Sequence, residues 1–255
     1  APFAQTGFTD AACHTLDVNC RSITAPNDPT QYKNMSGGWH DAGDYNKYVN
    51  FAYKPINDLL RSYEINPQAW ASDALNILES GNEIPDLLDE IKYELDWFIK
   101  MQDNDGGGFC VVDNATRYYA PKTTAASLTV AASFAFASKQ FEKIDNATAQ
   151  TYAALLQTKA ITAWQWAVAN PSVTYYNASN NLAAGEQEVD TYERDMIKLT
   201  AAVYLYNLTG DNTYKTYVES NYNTSHLMQW TFVYPFENVI QLSLLHYSHL
   251  DGVNT

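Results

Sequence analysis

The sequence predicts an all-α protein that forms a single domain over residues 1–255. Three observations favour this class: apolar residues recur at helical spacing in several long segments, one segment is rich in alanine, and patterns that alternate with period two are scarce. An apolar fraction of 46% is enough for a substantial core. Periodicity by itself therefore predicts helices packed on helices and leaves their arrangement open.

The predicted elements follow one another with loops of moderate length. Residues 1–35 contain scattered proline, asparagine and aspartate, so we expect this segment to be irregular. A short helix is predicted over 55–63, because Pro55 suits a first helical position. The clearest helix is 84–102, whose leucine and isoleucine residues repeat at helical spacing. The remaining predictions are a strand-like excursion over 109–119 and helices over 123–141, 149–169, 186–208, 212–221 and 235–247.

The helix over 84–102 also carries several acidic residues. Pro85 opens it, and Asp86, Asp89 and Glu90 lie in or near its first turn. Negative charge at this end of a helix complements the helix dipole. We interpret these acids as a solvated helix face.

The composition restricts the class of partner. A formal net charge of −14 and a pI near 4.6 lack the basic footprint of nucleic-acid-binding proteins, so we expect no nucleic-acid partner. No apolar run is long enough to span a membrane, so we expect no membrane partner either. An acidic surface is compatible with a secreted, extracellular hydrolase. The aromatic content of 14% suits sugar binding, although most aromatic side chains serve protein cores.

One glycine-rich stretch stands apart from the helical pattern. Residues 36–48 read S-G-G-W-H-D-A-G-D-Y-N-K-Y, with Asp41 and Asp44 three positions apart between Trp39 and Tyr45. Two such carboxylates can activate water, because one takes its proton while the other holds it. Aromatic neighbours offer a flat apolar face to a sugar ring. From the spacing alone, a turn in which one aspartate caps a helix or binds calcium is the favoured explanation.

The string G-G-W-H-D-A-G-D-Y-N-K-Y resembles the signature of family 9 glycoside hydrolases, the inverting cellulases, and the resemblance continues to the end of the chain. It implies an (α/α)6 barrel of helical hairpins with its active site on the loops at one end. It also implies an endoglucanase-like enzyme that cleaves β-1,4-glucosidic bonds in cellulose or related β-glucans. In the family pattern Asp44 is the general base and Asp41 positions the water. Trp39 and Tyr45 are then expected to bind substrate, with packing beneath the loop as the alternative for Trp39.

Three cysteines, Cys13, Cys20 and Cys110, leave an odd number for disulfide pairing. A disulfide between Cys13 and Cys20 and a metal site are both compatible with this count. The segment A-A-C-H-T-L-D at 11–17 resembles an element of a bacterial branch of family 9, which implies a structural zinc held by Cys13, His14 and His40. The fourth ligand of that branch, an upstream cysteine, falls before the first residue, and Cys20 is the candidate to replace it.

The sequence also differs from the family 9 pattern in its length and in its acidic residues. Family 9 catalytic domains are longer, so we expect a truncated domain whose barrel is incomplete and is completed by a missing C-terminal segment. The general-acid glutamate is expected in that segment, beyond residue 255, and Glu237 is the internal candidate. A family calcium site lies near 186–195, but Arg194 and Asp195 stand where an acidic pair is expected. We therefore interpret the acids of this segment as a helix surface: Glu186, Glu188, Asp190, Glu193 and Asp195.

Two alternatives to a cellulase follow from the same residues. A related enzyme acting on xyloglucan, mixed-linkage glucan or cello-oligosaccharides differs only in its subsites. A non-catalytic glycan-binding remnant of the fold is favoured by the absence of the acid segment. Retention of both Asp41 and Asp44 argues against the remnant, because a binding module has no need of an unprotonated pair.

Overall fold

The computed structural model describes residues 13–113 and 116–253, and α-helix dominates them. Polar side chains of Thr123, Asn146, Asp190 and Asp211 accept backbone N–H groups at four helix starts, which explains where those helices begin. The helices are α1 (Val49–Ile65), α2 (Asp86–Met101), α3 (Thr124–Phe141), α4 (Ala147–Ala169), α5 (Thr191–Thr209), α6 (Asn212–Asn221), α7 (His226–Gln229) and α8 (Asn238–Ser248).

The longer helices alternate between an inner and an outer layer. Helix α3 contacts α1 on one side and α5 on the other, and α5 contacts α8. Every residue of α3 except Lys139 is buried, and its many alanines and serines let the neighbouring helices approach closely. Helices α4 and α6 pack outside α3 and α5, and α4 buries only one of its faces. This alternation confirms the predicted architecture of helical hairpins.

A small sheet lies beside the start of α1. Its strands are β1 (Arg21–Ser22), β2 (Lys47–Tyr48), β3 (Val111–Asp113) and β4 (Tyr118–Tyr119), in the order β1-β4-β3-β2. Strands β1 and β4 are parallel, and the other neighbours are antiparallel. Strands β3 and β4 confirm the predicted excursion over 109–119. Because β2 follows the D-A-G-D loop and leads directly into α1, the sheet fixes that loop at one end of the helical layers.

Two helix starts differ from the prediction. Helix α1 begins at Val49, and Pro55 lies inside it rather than at its first position. An internal proline costs one backbone hydrogen bond, but α1 buries Ile56 and Leu60 completely, and this packing overrides the local preference. Helix α5 begins at Thr191 rather than near residue 186, because the chain before it forms a loop.

Among the residues that the structure describes, none of the helices combines the length and the apolar content that a membrane span requires.

Candidate active site

The D-A-G-D loop is a tight, surface-exposed turn closed by backbone bonds. Asp41 donates its N–H to the carbonyl of Asn46 at 2.7 Å, and residues 42–44 form a 3-10 turn between them. Tyr45 closes the turn with a φ of 58°, in the left-handed region. Both predicted catalytic carboxylates, Asp41 and Asp44, are exposed. The turn therefore presents the predicted acid pair to solvent, as water activation requires.

The Asp44 carboxylate is held by Asn46 through both of its oxygens. Oδ1 accepts the backbone N–H of Asn46 at 3.1 Å, and Oδ2 accepts its side-chain Nδ2 at 2.7 Å. The same Nδ2 donates to the Tyr48 hydroxyl at 3.1 Å. Asn46 and Tyr48 are buried, so these contacts anchor an exposed carboxylate to the interior.

A buried ion cluster supports the loop from below. The Asp17 carboxylate lies 2.6 Å from Lys47 Nζ and 2.5 Å from Arg117 Nε, and all three side chains are almost fully buried. Arg117 Nη2 also donates to the Tyr45 carbonyl at 3.3 Å, and Lys47 donates to the carbonyls of Met35 and Gly37. Burial disfavours the charge on Asp17, but hydrogen bonds from Arg117 and Lys47 outweigh it and lower the pKa of this carboxyl. The cluster ties both ends of the D-A-G-D loop to two distant segments, those of Asp17 and Arg117.

Helix α2 places a second buried carboxyl beneath the loop. Glu94 is completely buried, and its Oε2 accepts the backbone N–H of Trp39 at 2.5 Å. Burial raises the pKa of Glu94 to about 8, although Trp39 and Lys47 act in the opposite direction. Glu90, one turn earlier and exposed, accepts the Trp39 indole N–H at 2.8 Å. Trp39 is therefore half-buried and packed against the core, while Tyr45 remains exposed.

The acids at the start of α2 correct one prediction. Asp86 and Asp89 are buried rather than solvated, because they accept hydrogen bonds from the loop that precedes the helix. Asp86 accepts from the N–H of Leu75 and the hydroxyl of Ser80, and Asp89 accepts from the amide of Asn82. Burial raises the pKa of Asp89 to about 6. Together with Asp73 they form an acidic group whose oxygens lie within 4.8 Å of one another.

A polar cavity of about 650 Å³ opens beside Asp44. Its lining includes Asp44, Asn46 and Asp113 together with four residues of the segment 174–190, here termed the wall loop. Asp113 accepts the N–H of Ala183 from the wall loop. Asp41 and Trp39 lie outside the lining of this cavity, so Asp44 is the predicted catalytic residue that faces it.

The structure brings the three predicted zinc ligands together. Ligand atoms of Cys13, His14 and His40 lie within 4.8 Å of one another. Nδ1 of His14 is buried without a hydrogen-bond partner, as expected of an atom suited to a metal. Burial lowers the pKa of both histidines, with a contribution from Arg117 at His14 and from His14 at His40. Neutral imidazole is the form that binds a metal, so this group fits a zinc ion.

The other cysteine predictions are not confirmed. The three cysteines are free thiols, so the disulfide between Cys13 and Cys20 is absent from the described residues. Cys20 is buried with its thiol toward Asp17, whereas Cys13 is exposed beside the histidines. Burial raises the pKa of Cys20 to about 12. Cys20 is therefore a buried, protonated thiol outside the group of Cys13, His14 and His40, and it does not supply a fourth zinc ligand.

Glu237 and the acids around residue 190 are not among the residues that line the Asp44 cavity. Glu237 lines a separate cavity of about 180 Å³, and its carboxylate contacts Nδ1 of His226 at 2.7 Å and the Tyr192 hydroxyl at 3.3 Å. Glu186 and Glu188 accept backbone N–H groups within the wall loop, so they are loop acceptors rather than a helix surface. Within residues 13–113 and 116–253 these acids do not form a group suited to a cation.

Comparisons with known proteins agree with this arrangement. The sequence profile of glycosyl hydrolase family 9 matches residues 4–253. The chain belongs to glycosyl hydrolase family 9. Endoglucanase D of Acetivibrio thermocellus is 32% identical over 222 residues, which are 81% of this chain and 34% of that protein. A xyloglucan-specific endo-β-1,4-glucanase of Bacteroides ovatus is 33% identical over 202 residues, covering 71% of this chain and 34% of that protein.

Solved family 9 structures share the fold. The endoglucanase J30 superposes with a TM-score of 0.80 and 26% identity over 98% of this chain and 49% of that chain. A zinc-binding triple mutant of J30 superposes with a TM-score of 0.79 and 27% identity, over 96% of this chain and 48% of that one. These likenesses confirm the (α/α)6 barrel prediction. The chain spans about a third of the length of the two relatives named above and about half of these solved structures.

Proposed function

We propose that this chain carries the water-activating part of a family 9 glycoside hydrolase that cleaves β-1,4-glucosidic bonds by inversion. The observation that carries the proposal is Asp44, an exposed carboxylate that faces the cavity and is held through both oxygens by Asn46. Inversion requires a base and an acid about 6.5–9.5 Å apart, so that water fits between the sugar and the base. Asp44 takes the proton of this water, and Asp41, at the other end of the same 3-10 turn, helps to position it.

The substrate in this proposal is a β-glucan, cellulose or a related polymer. Support comes from relatives named as endoglucanases and as a xyloglucan-specific glucanase. Tyr45, exposed beside the catalytic turn, provides a ring for sugar contact, and Trp39 offers its half-buried indole at the other side. Because polymeric β-glucan lies outside cells, the proposal includes a secreted, extracellular location.

The general acid in this proposal lies outside residues 1–255, in a C-terminal segment that completes the barrel. Glu237 is engaged by His226 and Tyr192 and lines a different cavity from Asp44, which argues against it as the acid. Inner helix α8 exposes Leu245, and Met228 and Phe236 are also exposed in the preceding chain. A further helical layer would cover such apolar side chains.

A structural zinc forms part of the same proposal. Cys13, His14 and His40 would hold it, and the ion would cross-link the segment before the first strand to the catalytic loop. His40 is adjacent to Asp41, so this cross-link would restrict the backbone at the water-positioning residue. The catalytic step itself is assigned to the carboxylates.

The test uses a substrate whose leaving group needs no proton. Hydrolysis of 2,4-dinitrophenyl β-cellobioside reports on the base alone, so it is measurable without the general acid. We expect release of dinitrophenol by the wild type, first formation of the α-anomer of cellobiose, and a loss of about 10²–10⁴-fold in Asp44→Asn. Asp145→Asn, an exposed aspartate between α3 and α4, is the matched control. Binding of 2,4-dinitrophenyl β-cellobioside without release of dinitrophenol would favour the glycan-binding remnant, and a β-anomer product would exclude inversion.

A further inference from the structure

The orientation of Asp44 depends on one buried side chain that lies outside the D-A-G-D motif. Asn46 has 3% exposure, and its Nδ2 donates to both Asp44 Oδ2 and the Tyr48 hydroxyl. Its Oδ1 is buried without a partner. If the amide were turned over, this oxygen would face the Asp44 carboxylate, and two acceptors would meet. The donor orientation is therefore the favourable one, although it leaves a carbonyl unsatisfied.

The contact continues from Tyr48 into the wall loop. Tyr48 is also buried, and its hydroxyl accepts the N–H of Gly185 at 3.1 Å. A Cβ atom at Gly185 would lie 2.8 Å from the ring of Phe51, so glycine lets the wall loop pass close to this ring. Asn177, completely buried, closes the wall loop on itself by donating to the carbonyls of Leu182 and Gly185. Hydrogen bonds through Asn46 and Tyr48 thus connect the Asp44 carboxylate to the wall loop.

We propose that Asn46 is a positioning residue for the Asp44 base, and that Tyr48 couples this position to the wall loop. The inference rests on the proposed function, because it assigns a role in orienting a base. An exposed aspartate samples several rotamers, and only one directs an oxygen at the water. The bond from Asn46 Nδ2 selects that rotamer, while the backbone bond alone leaves the second oxygen free. Asn46 is almost completely buried and its amide is directed at Asp44 and Tyr48, so we expect it to act on turnover rather than on binding.

The test separates turnover from binding. With 2,4-dinitrophenyl β-cellobioside we expect Asn46→Ala to lower kcat by about tenfold to a hundredfold, the range for a hydrogen bond to a charged group, while KM changes less than about twofold. Tyr48→Phe keeps the ring and removes the hydroxyl that accepts from Asn46 and Gly185. We expect a smaller loss in kcat than in Asn46→Ala. Asn57→Ala is the matched control, since Asn57 is also buried, donates one amide bond and has an unpartnered Oδ1.

The outcomes test the positioning role of Asn46 and the coupling role of Tyr48 separately. Unchanged kcat in a folded Asn46→Ala, or an equal loss in Asn57→Ala, would overturn the positioning role. If Asn46→Ala does not fold, an unchanged kcat in Tyr48→Phe overturns the coupling. If the wild type itself hydrolyses nothing, the proposed function fails, and nuclear magnetic resonance then decides on Asn46. A side-chain amide proton of Asn46 that is displaced from the free-amide position and returns toward it in Asp44→Ala supports the contact with Asp44, whereas amide protons that Asp44→Ala does not move refute it.

Discussion

The buried carboxyl of Glu94 predicts an unusual dependence of stability on pH. Glu94 is completely buried, and burial raises its pKa from the ordinary 4.5 to about 8 in the folded protein. The folded state therefore keeps a proton that the unfolded chain loses between these values. Stability falls as pH rises through this window, because Glu94 ionises at a lower pH in the unfolded state than in the folded state. The destabilisation is absent below the unfolded pKa and complete above the folded one.

The magnitude follows from the difference between the two pKa values. A rise from 4.5 to about 8 corresponds, at about 1.4 kcal/mol per pKa unit, to an upper limit of about 5 kcal/mol. Glu94→Gln removes the titration and keeps the shape, and its amide oxygen can still accept the Trp39 N–H. We expect the stability of the variant relative to wild type to increase steadily between pH 4.5 and pH 8.

Urea unfolding at several pH values measures this difference directly. Glu90→Gln is the matched control, because Glu90 bonds the same tryptophan from an exposed position one turn earlier. The charge of Glu90 is the smallest contribution to the raised pKa of Glu94, so the stability difference between Glu90→Gln and wild type should vary with pH far less than that of Glu94→Gln. A difference between Glu94→Gln and wild type that does not change with pH would refute the reasoning, since it would mean that Glu94 titrates alike in both states.

Three further predictions concern the contacts that hold the D-A-G-D loop in place. Arg117→Met leaves the buried Asp17 with one cation fewer, and chemical unfolding should show a loss of about 3 kcal/mol, whereas an unchanged midpoint would contradict a buried ion cluster. Zinc should bind the wild type at one ion per chain and raise its melting temperature, and Cys13→Ser should abolish both effects in metal analysis and calorimetry. Gly38→Ala should destabilise the protein, because a Cβ would lie 2.6 Å from the Trp97 ring and φ is +79°; equal melting temperatures would exclude this close packing.

Local patterns were sufficient for much of the fold. Helical periodicity predicted α2, α3, α4 and α6 to within about two residues at each end, because one face of each helix is apolar or alanine-rich along its whole length. The start of α1 was wrong because the prediction relied on Pro55, whereas contacts from other segments hold the chain helical from Val49. Tertiary packing can override a local preference of this size.

The candidate site also depends partly on sequence motifs and partly on tertiary structure. The motif string determined the family and the candidate residues Asp41, Asp44, Cys13, His14 and His40, since their identities and spacing carry the chemistry. Only the tertiary structure decided which charges are buried and how they are paired. Asp17 and Arg117 lie 100 positions apart in the chain, and Glu94 is spaced like any acid on an exposed helix face. Desolvation and hydrogen bonding depend on neighbours brought by folding, so a one-dimensional pattern does not contain them.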